Sequence, residues 1–199
     1  MHMGIKRLVV WCLLAAPLVV LTYNYVWEAS FLTGEIYYGG YVHDTGRIAA
    51  WLLLAVLLVT PLRLTFPGNY AVRWLAGQRR YVGVASFAYA LAHLGAYLQR
   101  QDWARIVEDF AEAGFWTGWI AFVLFATLAL TSNDASLRLM RRGWKSLHRL
   151  VRPAAILTFA HWVLTAFDPF TAWYHVAVLA LIELYRIFLL YRPRREMAA

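Results

Sequence analysis

Six apolar runs divide this 199-residue sequence at short intervals, at residues 8–26, 46–62, 81–98, 115–131, 149–167 and 172–190. Each is about the length that a helix needs to cross a hydrocarbon layer roughly 30 Å thick. Helices apolar all round also occur inside large soluble proteins, but six in 199 residues leave too little polar chain to cover such a core. The composition agrees: 62% of residues are hydrophobic and only 15% charged, well away from an ordinary soluble domain. Only Lys6 and Arg7 precede the first run as charges, the run is long for a signal-peptide core, and no small-residue cleavage site follows it. It is read as a span. The expected fold is an all-α bundle of six transmembrane helices forming one domain over residues 1–199.

The formal charge of +8 follows the spans rather than a polar face. Assigning alternate connections to two sides puts Arg47, Arg100 and Arg105 on one side and the other 16 of the 19 basic residues on the opposite side. The basic-poor side also carries eight of the eleven acids, Glu28, Glu35, Asp44, Asp102, Glu108, Asp109, Glu112 and Asp168. Cytoplasmic loops of membrane proteins collect Lys and Arg, so both termini are expected in the cytoplasm. Spans three and five then run in the same direction. A nucleic-acid-binding role is excluded, since such proteins cluster their cations on one polar surface. Cys12 is the only cysteine and lies within an apolar run, so no intrachain disulfide or thiolate metal site is available. No internal repeat or low-complexity segment stands out. In the long basic connection SNDASLRLMRRGWKSLH, residues 132–148, Leu137, Met140, Trp144 and Leu147 recur at helical intervals between cations. That pattern predicts an interfacial helix on anionic lipid, or a docking helix for a soluble partner. The tryptophans and tyrosines near the span ends, Trp103, Trp116, Trp119, Trp173 and Tyr174 among them, form an aromatic belt.

Ionisable side chains within spans are costly, and they mark candidate functional sites. His93 and His161 lie at similar depth in the co-directional spans three and five. Such a pair can close on one planar cofactor from both faces, each neutral ring giving a lone pair to iron; two separate interhelical hydrogen bonds are the alternative. His148 precedes His161 by thirteen residues, a helical rise of about 20 Å, which implies a second layer near the cytoplasmic face. Pro153 lies between them, so the helix is expected to kink or begin there. Span three has no second histidine at that depth. Arg79 stands there instead, with Arg80 beside it, either as a partner for a haem propionate, as an unusual ligand, or as a plain positive-inside residue. His43 and Arg47 are expected at the outer surface, Arg47 as a propionate partner and His43 as a proton carrier or loop residue. Glu183 has Arg186 three residues on as a local partner, and His175 and His2 are read as structural or surface residues. Zinc fits poorly, because no HxxxH, HExxH or cysteine cluster is present.

The segments HDTGRIAAWLLLAVLLVTPLR, RRYVGVASFAYALAHLGAY, LALTSNDASLRLM and RRGWKSLHRLV occur in that order over residues 43–165. Together they resemble the MsrQ (YedZ) haem-binding membrane subunits of the ferric-reductase-like transmembrane superfamily. The resemblance implies a bacterial inner-membrane cytochrome b that passes electrons to a periplasmic molybdopterin methionine-sulfoxide reductase. It implies haem b, one or two per chain, with His93 and His161 as outer ligands, His148 as the inner histidine and Arg79 facing that inner site. It also implies a cytosolic flavin reductase or the quinol pool as donor, with flavin mononucleotide as an additional cofactor. The residues after the sixth run, ending YRPRREMAA, carry no GxGxxG segment, so electrons are expected from another molecule. A stand-alone ferric or quinol-linked reductase, and a proton-coupled membrane protein using His93, His161 and Glu183, are the alternatives.

Overall fold

The computed structural model describes residues 5–29, 35–166 and 168–192, and the side chains of all these except residues 5, 6, 28, 29 and 35–37. His2, residues 193–199 of the YRPRREMAA segment and the side chains of Lys6, Glu28 and Glu35, named above, lie outside the described residues. Among those described, the regular structure is helical: α1 (Ile5–Ala29), α2 (Glu35–Thr65), α3 (Tyr70–Arg100), α4 (Trp103–Asp109), α5 (Ala113–Leu130), α6 (Asp134–Met140), α7 (Arg142–Leu147), α8 (Val151–Thr165) and α9 (Pro169–Tyr191). Five of these, α1, α2, α3, α5 and α9, are long and apolar enough to cross a membrane.

The run expected to span from residue 149 to 167 differs. Its α-helix is α8, 15 residues long, and one 3-10 turn over His148–Leu150 precedes it. Alone, α8 rises about 22 Å, short of a hydrocarbon core; the turn adds about 6 Å. Pro153, on the first turn of α8, has no N–H to give, so the chain enters α8 through the tighter turn.

The helices meet through small residues, as they must where lipid provides no hydrophobic drive between them. Across the closest helix pair, α2 with α3, Ser86 Oγ donates to the Ala49 carbonyl at 2.8 Å, and Ala49, Ala50 and Ala85 are buried. A bond of this kind contributes about 0.6 kcal/mol in a bilayer. The second close pair is α5 with α8, where Phe125 packs with the wholly buried Ala154 and Ala155. Leu53, Leu54 and Leu57 of α2, Phe125 and Leu128 of α5, Phe159 of α8 and Leu179 of α9 join the two pairs into one core. Against this core α1 packs loosely, tied by a Tyr89 hydroxyl that donates to the Leu14 carbonyl at 3.0 Å.

Helix ends follow local chemistry. After Pro67 and Gly68, Asn69 caps α3 by accepting from Val72 N at 3.2 Å. Asn133 caps α6 through Ser136 N, and Asp168 caps α9 through Phe170 N with Pro169 at the first helical position. The predicted interfacial helix over 132–148 is not continuous. It breaks at Arg141, whose φ of 49° lies in the left-handed region. A non-glycine residue held there costs of order 1–3 kcal/mol, and the break turns Trp144 inward rather than along a lipid surface. Its indole lies 3.9 Å from the His148 ring and donates to the Thr131 carbonyl at 2.8 Å.

Candidate functional site

The two close helix pairs each press a histidine onto a glycine of the partner helix. On α3, His93 Nδ1 lies 2.8 Å from the Val42 carbonyl of α2, and a Cβ on Gly46 would stand 2.9 Å from that nitrogen. On α8, His161 Nδ1 lies 2.7 Å from the Gly114 carbonyl of α5, and a Cβ on Gly118 would stand 2.7 Å from it. A carbonyl only accepts, so each Nδ1 carries the proton and each Nε2 keeps its lone pair. The two rings come within 6.2 Å of each other, centre to centre, at 87° between planes.

Those values match the separation that two imidazoles need around one metal. Bonds of about 2 Å from each ring nitrogen to a shared ion put the ring centres about 6 to 7 Å apart. The tautomer is the ligating one, and hydrogen bonds to backbone carbonyls are the usual orienters of histidine ligands. Among the described residues no group of three or more His, Cys, Asp or Glu gathers to hold an ion, so a protein-only metal cage is not formed. Two histidine nitrogens with no further donors among the described residues would suit a metal that brings its other ligands in its own macrocycle.

The surroundings of the two histidines repeat. Val42-His43-Asp44-Thr45-Gly46 and Gly114-Phe115-Trp116-Thr117-Gly118 share one register: a carbonyl for the imidazole, then Thr-Gly three and four residues on. Both threonines are buried and both turn back onto their own helix. Thr45 Oγ1 donates to the Tyr41 and Val42 carbonyls at 2.6 and 3.2 Å, and Thr117 Oγ1 donates to the Ala113 and Gly114 carbonyls at 3.0 and 2.7 Å. The sequence pointed to the histidines but not to these units, which share only two identities in five residues. The TGR segment of residues 45–47 was the one available signal.

Arg47 follows Gly46 and faces the same end of the bundle. It pairs with Asp44 at 3.0 Å and lies 5.1 Å over Trp51, while its Nε is buried without a hydrogen-bond partner. An orphaned guanidinium donor one residue beyond Gly46 suits an anionic group such as a propionate. His43 is half exposed and lies 3.5 Å from Asp44. His175 is buried and satisfied: Trp51 Nε1 donates to its Nε2 at 2.8 Å, and its Nδ1 lies 2.7 Å from the Thr171 carbonyl. It is a structural histidine.

At the cation-rich end a cavity of about 660 Å³ opens between α2, α3, α5 and the α7–α8 junction. Leu53, Val56, Phe125 and Leu128 line its deep part, and Arg79, Arg80, Lys145, Arg149, Arg152 and His148 its mouth. His148 Nε2 lies 3.1 Å from Thr131 Oγ1. Arg79 donates to Thr60 Oγ1 at 3.3 Å. Arg80 donates to Asp134 at 2.6 Å and holds that exposed carboxyl below the ordinary aspartate range. Glu183 is paired with Arg186 at 2.7 Å and reaches Arg152 at 3.6 Å, which favours the ion-pair reading of this residue over proton transfer.

The ferric reductase like transmembrane component family matches residues 45–160. The protein-methionine-sulfoxide reductase heme-binding subunit MsrQ of Xanthomonas campestris pv. campestris strain B100 is 34% identical over 161 residues, covering 78% of this chain and 72% of that protein. The same subunit of Xanthomonas euvesicatoria pv. vesicatoria strain 85-10 is 31% identical over 191 residues, 92% and 86% of the two chains. That of Brucella anthropi is 34% identical over 160 residues, 78% and 70%.

Proposed function

The chain belongs to the ferric-reductase-like transmembrane family and, within it, to the MsrQ heme-binding subunits; from that premise we propose that it is a haem b electron-transfer subunit of the bacterial inner membrane. In this reading it relays electrons from a cytoplasmic flavin reductase or quinol to a periplasmic molybdopterin methionine-sulfoxide reductase. The observation that carries it is the His93–His161 pair, 6.2 Å apart with both Nδ1 protons directed to carbonyls.

His93 and His161 would hold the haem iron through Nε2, Gly46 and Gly118 give their rings room, and Arg47 would meet a propionate. When bound, haem would supply one-electron transfer. The residues around it exclude water and fix ligand orientation. The cation-rich cavity is where electrons enter. Its apolar floor and basic mouth suit a planar ring with anionic tails, a class that includes a second haem b, with His148 as ligand and Arg79 on its propionates, and flavin mononucleotide with its phosphate. The domain is one unit of six spans with both termini cytoplasmic, the 3-10 turn and α8 together making the fifth crossing, and the cations at the cytoplasmic end favour that direction.

Visible spectra of the full-length protein, purified in detergent from haem-supplied cells, test this reading. A low-spin b-type spectrum with at least one haem per chain is expected, and a flavin and haem count separates one haem plus flavin from two haems. Colourless protein would overturn it.

A further inference from the structure

Asp109, the last residue of α4, has a side chain only 3% exposed in the short segment between α3 and α5. A buried carboxylate persists only where partners offset its desolvation. Tyr97 Oη donates to Asp109 Oδ2 at 2.6 Å, and Arg105 Nε lies 2.9 Å from Oδ1, close enough for charge pairing but not aligned as a hydrogen bond. Arg105 is half exposed and also faces Glu108 at 3.8 Å.

The position of Tyr97 gives this pair its significance. It lies one turn beyond His93 on the same face of α3. Its ring is 5.8 Å from that of Phe115, the residue after Gly114, whose carbonyl receives His161 Nδ1. The Asp109 carbonyl accepts from Glu112 N at 3.0 Å, closing the turn that starts α5. One part-buried bond therefore ties the helix of the first histidine to the turn that presents the orienting carbonyl of the second.

We propose that Tyr97 and Asp109 are positioning residues for the histidine pair: their bond holds the α4–α5 turn against α3 and so keeps the Gly114 carbonyl on His161. This rests on the reading that His93 and His161 hold haem. A hydrogen bond from Nδ1 to a carbonyl makes an imidazole a stronger donor, which stabilises the oxidised metal. Releasing the turn weakens that bond, so the reduction potential rises and haem is held less tightly.

Tyr97→Phe keeps the ring against Phe115 and removes only the hydroxyl; Asp109→Asn keeps the shape and removes the charge. In purified full-length holoprotein, the midpoint potential, the low-spin ferric electron paramagnetic resonance signal and the rate of haem transfer to apomyoglobin are measured. Both variants are expected to shift the potential upward, to move the low-spin signal and to release haem roughly tenfold faster. The double variant is expected to go no further than the larger single one, since Tyr97→Phe removes the bond that Asp109→Asn weakens. Arg105→Gln, at the exposed end, is expected to shift the potential in the same direction by less, and serves if the buried variants do not accumulate. Unmoved potential, signal and transfer rate, a downward shift, or additive effects in the double variant would overturn the proposal. Wild-type protein without haem sinks the functional reading itself; wild-type haem with unmoved variants sinks this inference alone.

Discussion

Around His93 and His161 each imidazole has its tautomer fixed by a carbonyl and its face fixed by a glycine, whereas His148 rests against Trp144 and a threonine hydroxyl beside an open cavity ringed with arginine. The first arrangement selects by geometry: little beyond two axial bonds at a set spacing is on offer. The second selects by charge and shape, since an apolar floor and a cationic rim accept any planar amphipathic anion of the right size. Buried close-packed pairs of helices make the first possible, and a 3-10 turn with a left-handed break before it makes the second.

The contrast breaks most completely at the ligands. His93→Ala and His161→Ala are each expected to abolish haem at the pair, while His148→Ala leaves it in place and removes only a cofactor of the cavity; haem counted per chain distinguishes the three. The glycines come next. Gly118→Ala puts a methyl 2.7 Å from His161 Nδ1 and Gly46→Ala one 2.9 Å from His93 Nδ1, in rings that cannot swing away without losing their carbonyl. Haem affinity is expected to fall roughly 10- to 100-fold, more for Gly118 than for Gly46, as haem-transfer rates will report.

Charge selection at the other end predicts a different signature. Arg79→Gln is expected to weaken retention of the cavity's anionic cofactor several-fold, with a loss that shrinks as salt is raised, and to leave the haem between His93 and His161 untouched. Equal loss from both sites would erase the distinction. The smallest effect concerns Asp134. Because Arg80 holds its folded pKa below the ordinary aspartate value, their contact contributes above that ordinary range and is lost only as pH falls through the lowered value. Limited proteolysis of the 132–148 connection is expected to stay slow down to the lower edge of the aspartate range in the native chain. In Arg80→Gln it is expected to be fast at neutral pH already.

The membrane-spanning character was legible because hydropathy measures what lipid demands, yet hydropathy stops where helices enter headgroups and water. Hence α2 and α3 each run to 31 residues, beyond the apolar runs 46–62 and 81–98. His93 and His161 stood out because a titratable ring in a span is conspicuous. Thr45, Gly46, Thr117 and Gly118 did not, since small and hydroxyl residues are ordinary in spans and their meaning arises only across a helix pair. The break at Arg141 left no sequence mark either: Gly143, the expected residue for such a turn, lies two positions later. Asp109 looked like one acid among eight on its side, and only packing sets it apart.

The paired Thr-Gly steps have a use outside this molecule. A designed helix hairpin that copies one such step opposite a histidine inherits ring orientation and protonation together, from five contiguous residues and no auxiliary side chain on a third helix. Two copies facing each other make a portable socket, and its strength can be graded by where the hydroxyl leans.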